Sequence, residues 1–82
     1  MKRDVELVLS EDEALILCDW LARFNAEPHA FADQSEQRVL WNLEALLEKA
    51  LPAVLSKDYA ELLSEARTRV RDPQPRPESD QT

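Results

Sequence analysis

Ser10-Glu11-Asp12-Glu13-Ala14-Leu15-Ile16-Leu17-Cys18-Asp19-Trp20-Leu21-Ala22-Arg23-Phe24-Asn25 is the stretch on which the fold turns. Its first four residues spell a capping box: the serine side chain serves the amide three residues on, the glutamate returns the bond, and three acids meet the positive end of a helix. A helix over 11–25 is therefore predicted. At 100° per residue the polar stripe beyond the first turn reduces to Asp19 and Arg23, continued backward by Asp12. Ala14, Leu17, Cys18 and Leu21 form one apolar face, and Ile16, Trp20 and Phe24 form a second. A helix this apolar around its circumference is expected at the centre of the fold.

Outward from that helix, Asn25 to Asp33 contains Pro28 and His29 and reads as a loop. Asp33-Gln34-Ser35-Glu36 then opens a second helix over 34–51 with another acidic capping box. Val39, Leu40, Leu43, Leu46, Leu47, Ala50 and Leu51 lie within an arc of roughly 140°, a conventional buried stripe. Trp41 lies outside it, among Gln37, Arg38, Glu44, Ala45 and Glu48. Pro52 ends this helix, and Ser56 is the expected N-cap of a third over 57–71, whose narrow apolar face is Tyr59, Leu62, Leu63, Ala66 and Val70. Arg67, Arg69 and Arg71 crowd its last turns, where they complement the negative helix end. Before the first helix, Val5-Glu6-Leu7-Val8-Leu9 alternates like a short strand, giving an arm over 4–9 that either packs along the helices or pairs with a strand from elsewhere. Residues 72–82 hold three prolines and no large apolar side chain, the composition of a disordered tail. The expected architecture is all-α: a three-helix bundle with an extended amino-terminal arm or strand and a disordered carboxy-terminal tail.

Composition narrows the function. The 82-residue chain contains no glycine, which phosphate-cradling loops and dinucleotide fingerprints require where the backbone must approach a ligand. Seventeen acids against ten bases give a formal charge of −7, a field that repels nucleic acid and anionic membrane and favours a basic protein partner. Acidity is concentrated early: residues 1–31 hold seven acids and three bases, residues 56–71 three acids and four bases. The single cysteine, the acidic residues near the amino terminus and the lack of a long apolar run read together as a soluble cytoplasmic protein without a secretory signal or membrane span.

Catalytic chemistry finds little support. Cys18 falls on an apolar face, where a thiol packs as a small hydrophobe, and His29, the only histidine, lies in a loop. The inventory is too small for a zinc site. Glu11, Asp12 and Glu13 point in different directions around a helix and lack a glycine-containing calcium loop, so capping accounts for them. Asp19 and Arg23 form an ordinary i,i+4 surface pair. No catalytic residue, metal ligand or cofactor is expected.

What remains is surface for protein contacts. Ser10 to Leu15, Asp19 to Leu21 and Glu36 to Glu44 resemble the small, uncharacterised helical proteins widespread in bacteria over residues 5 to 71. The chain is also similar in size, acidity and cysteine poverty to immunity proteins and antitoxins. That likeness implies a non-enzymatic, stoichiometric inhibitor that docks on the basic cleft of a toxin or nuclease, and it brings no site residues with it. The residues themselves nominate Glu11, Asp12, Asp19, Glu44 and Glu48 to steer the encounter and Trp41, expected at least half exposed, to anchor it. The alternative expectation is a self-associating homodimer that buries Ile16, Trp20 and Phe24. A third, an acidic mimic of DNA, needs acids regularly spaced along one surface, which this distribution does not supply.

Overall fold

A computed structural model describes residues 3–72, and the tail expected over 72–82 lies outside that range except for Asp72. Three α-helices follow in order: α1 (Glu11–Asn25), α2 (Gln34–Ala50) and α3 (Tyr59–Arg71), with a short 3-10 helix, Pro52–Leu55, between the last two. No strand occurs among the described residues.

Both halves of the first capping box form. The Ser10 Oγ accepts from the Glu13 amide at 3.0 Å and the Glu13 carboxylate accepts from the Ser10 amide at 2.9 Å. The start of α2 departs from the expected pattern: Asp33 accepts from the Ser35 amide at 2.8 Å, while Glu36 reaches past it to the Ala32 amide at 3.0 Å. Each bond is made by an amide one residue earlier than in a capping box, Ser35 in place of Glu36 and Ala32 in place of Asp33. A larger correction concerns α3. It starts at Tyr59, not at 57, because Pro52 to Leu55 coil into the 3-10 turn and Ser56 spends its hydroxyl on the Asp58 amide at 3.0 Å. The first helical turn closes through the Asp58 carbonyl, which accepts from the Leu62 amide.

α1 lies between α2 and α3 and packs against both through Ala14, Leu15, Cys18 and Leu21, while its second expected face leaves Trp20 44 % exposed; α2 and α3 have little direct contact. The core is correspondingly small: Ala14, Leu15, Cys18 and Leu21 from α1, Leu47 from α2, Leu51 just beyond it, and Leu63 and Ala66 from α3. Tyr59, Leu62, Leu40, Leu43, Ala53 and Val54 pack half-buried around it. Three members of the expected α2 stripe, Val39, Leu46 and Ala50, are exposed, as is Val70 on α3. A stripe 140° wide needs two neighbours to cover it, and α2 has only α1 along its length. One flank is left open. The arm is a further correction: residues 3–9 form no regular element and pair with no strand among the described residues, with Val5, Leu7 and Val8 all more than four-fifths exposed.

Candidate protein-docking site

The nominated acids divide between structural and free roles. Asp19 Oδ1 accepts from the Tyr59 hydroxyl at 2.8 Å, and its Oδ2 accepts from Arg23 at 2.9 Å and Arg67 at 3.0 Å. Burial by itself would raise this carboxyl, but the hydrogen bonds from Tyr59 and Arg23 and the two guanidinium charges outweigh it and hold Asp19 below the usual carboxylate range. The counterpart is Tyr59, which burial and then the Asp19 contact push up to about 12. Asp12 takes both prongs of Arg69, at 2.7 and 2.9 Å, and that hydrogen-bonded fork lowers its pKa. Asp12 and Asp19 thus rivet α3 to α1. The arginines read as helix-end complements, Arg67 and Arg69, are the other halves of those rivets.

Glu44 is half-committed. The Asn25 side-chain amide donates to it at 2.8 Å and to the Leu40 carbonyl at 3.3 Å, pinning the end of α1 to the middle of α2. Glu48 and Glu11 are exposed; Glu48 borders a shallow groove with Ala45, Lys49, Val54 and Leu55, and Glu11 a cleft with Leu15, Leu51, Leu62 and Arg69. Trp41 is 47 % exposed, just short of the half expected, on the α2 flank it shares with Gln37, Arg38, Glu44 and Glu48. Beneath that flank Cys18 is buried, and burial followed by the charges of Glu48, Glu44 and Asp19 pushes its thiol up, away from the nucleophilic thiolate. Among the described residues no three His, Cys, Asp or Glu side chains are grouped to hold a metal ion.

Ile16, Trp20 and Phe24 do share a side of α1. Trp20 stacks on Phe24 with ring centroids 4.9 Å apart, and Phe24 in turn lies flat against His29 at 3.7 Å with 2° between planes. The His29 Nε2 lies 2.8 Å from the Phe24 carbonyl, which only accepts, so this nitrogen carries the proton. His29 is therefore a clasp that folds the loop back over Phe24, a role its position in the sequence did not signal. Phe31 meets Phe24 edge-on at 6.3 Å and also lines a groove with Ser35, Val39 and Leu40. The result is a continuous apolar strip running from Trp20 across Phe24 and Phe31 to Val39 on α2, with Leu46 two turns further along.

No protein family, curated protein or solved structure matches this chain. The surface itself is the remaining guide. It offers two distinct features, the acidic Trp41 flank and the apolar strip, and no helix of the described residues is long and apolar enough to cross a membrane.

Proposed function

We propose that the chain is a non-enzymatic protein-binding module that docks a basic protein on the α2 flank bearing Trp41. The observation that carries this reading is a half-exposed indole on a flank where two acids, Glu44 and Glu48, outnumber one base, Arg38. Tryptophan provides a large, rigid contact at low entropic cost, and surrounding acids raise the rate of encounter with a cationic surface. The net charge of −7 adds a longer-range field of the same sign. In its most concrete form the module is a stoichiometric inhibitor, of the immunity or antitoxin kind, that occludes the basic cleft of a toxin or nuclease. Asp12 and Asp19, already neutralised by arginines, contribute to holding the scaffold rather than to steering.

The test is binding kinetics against a panel of purified basic toxins and nucleases at 50 and 300 mM NaCl. A partner should bind one to one, with Trp41→Ala raising the dissociation rate at least tenfold, and with Glu48→Gln slowing association and flattening its salt dependence. A panel without a binder at low salt, or a partner indifferent to both substitutions, overturns the reading.

A further inference from the structure

The apolar strip and the amino-terminal arm are separate unpartnered features, and each supplies what the other lacks. Val5, Leu7, Val8 and Leu9 of the arm are all exposed, with the acids Asp4 and Glu6 between and before them. Backbone groups of residues 4–9 make no hydrogen bond to another described residue. The strip, for its part, exposes Trp20, Val39 and Leu46.

We propose that the strip is covered by a second copy of this chain, the two copies exchanging arms across a two-fold axis. This rests on the reading of the chain as a protein-binding module and names the occupant of its second surface. The first argument is geometric. Ser10, held extended at φ −66° and ψ 160° by both halves of the capping box, launches the arm from the amino-terminal end of α1. The strip is centred on the other end, some 15 to 20 Å along the helix at 1.5 Å per residue. Val5, the outermost apolar residue of the arm, lies at most about 17 Å from Ser10 in a fully extended chain, and a reversal of direction uses up several of those residues, so the arm falls short of the strip on its own helix. When two copies of α1 lie antiparallel, however, each arm arrives beside the partner's strip, and the interface closes on itself.

The second argument is area. Weighted by exposure (85, 82, 97 and 42 % for Val5, Leu7, Val8 and Leu9; 44, 62 and 56 % for Trp20, Val39 and Leu46), the apolar residues amount to nearly five full side chains per copy. At about 100 Å² each that is on the order of 1,000 Å² of apolar surface in a pair. With the usual polar share it gives an interface of about 1,600 Å², the size of a standard stable complex. The strip without the arms supplies only about a third of that.

The experiment is light scattering with size-exclusion chromatography on the full chain from 1 µM to 1 mM, at 50 and 500 mM NaCl. The expected result is twice the 9.4 kDa chain mass, with association strengthened several-fold by salt because two copies of charge −7 repel. Val5→Asp with Leu7→Asp, or Val39→Asp with Leu46→Asp, should each weaken the dimer at least 100-fold. All four positions are exposed, and circular dichroism verifies that helix content is kept. A mixture of the arm variant and the strip variant should form a heterodimer of intermediate stability, because one of the two exchanges survives. A chain that stays at 9.4 kDa, or a dimer indifferent to the arm substitutions, overturns the proposal. A monomer whose tryptophan emission shifts to the red on Val5→Asp with Leu7→Asp identifies the chain's own arm as occupant, which also overturns it. If such a monomer still binds a basic protein through Trp41, the module reading stands while the exchange falls; if it binds none, both fall.

Discussion

Asp19 joins two helices by accepting from Tyr59 and Arg67 of α3 while still holding Arg23 on its own helix. Removing its carboxylate leaves a half-buried phenol and two guanidiniums without their acceptor, so Asp19→Ala should cost about 1–3 kcal/mol in urea unfolding at pH 7. The pH dependence follows from the directions of the shifts. Asp12 and Asp19 both titrate below their ordinary value when folded, so their stabilisation is complete above the unfolded pKa of about 3.9 and is lost as pH falls through the folded values. Tyr59, raised to about 12, behaves oppositely: its contribution is complete below about 10 and is lost as pH rises toward 12. Asp19→Asn should flatten the acid limb, and Tyr59→Phe the alkaline one. The i,i+4 pairing of Asp19 with Arg23 was legible in the sequence because it depends only on helix spacing. The partners 40 and 48 residues away were not, since spacing says nothing about which side of α1 faces α3.

Local chemistry is most readable at helix starts. The bounds of α1 follow from Ser10 to Glu13, whose reciprocal bonds involve no residue outside the motif. Ser10→Ala should therefore cost about 1 kcal/mol, seen as a lower urea midpoint with an unchanged slope. The start of α3 was less legible because Ser56, expected as its cap, instead serves the Asp58 amide behind the 3-10 turn that brings Val54 and Ala53 onto the core, and Asp58 at the helix start makes no side-chain cap bond. At α2 the sequence announced the whole apolar stripe but not its coverage. Burial of Leu47 with exposure of Val39 and Leu46 is decided by how many neighbours the helix has, a property of the assembly rather than of the helix.

For the molecule as a whole, eight buried residues form the core among the described residues, and Leu21, 1 % exposed, is the largest of those that are fully enclosed. Domains of this size have about 4–10 kcal/mol of stability, and Leu21→Ala should remove about 2–5 of it, enough to populate the unfolded state measurably at 37 °C by circular dichroism. The central place of α1 was legible from its apolar character around most of its circumference, although Leu15, outside both expected faces, is buried and Trp20, within the second, is not. The candidate surfaces were legible only in part: Trp20, Phe24 and Trp41 were visible as residues outside a single stripe, whereas the strip's continuation through Phe31 and Val39 depends on the loop that His29 clasps.

Although α2 and α3 scarcely touch directly, Leu47 and Leu51 on one side and Leu63 and Ala66 on the other complete a single core with Ala14, Leu15, Cys18 and Leu21. Substitutions on the outer flanks of α2 and α3 are therefore expected to sum independently, while core substitutions on either helix should couple to each other and to changes on α1. Such a layout lets the Trp41 flank diverge toward a new partner without disturbing how α3 is held, and concentrates the constraint on sequence change in fifteen central residues.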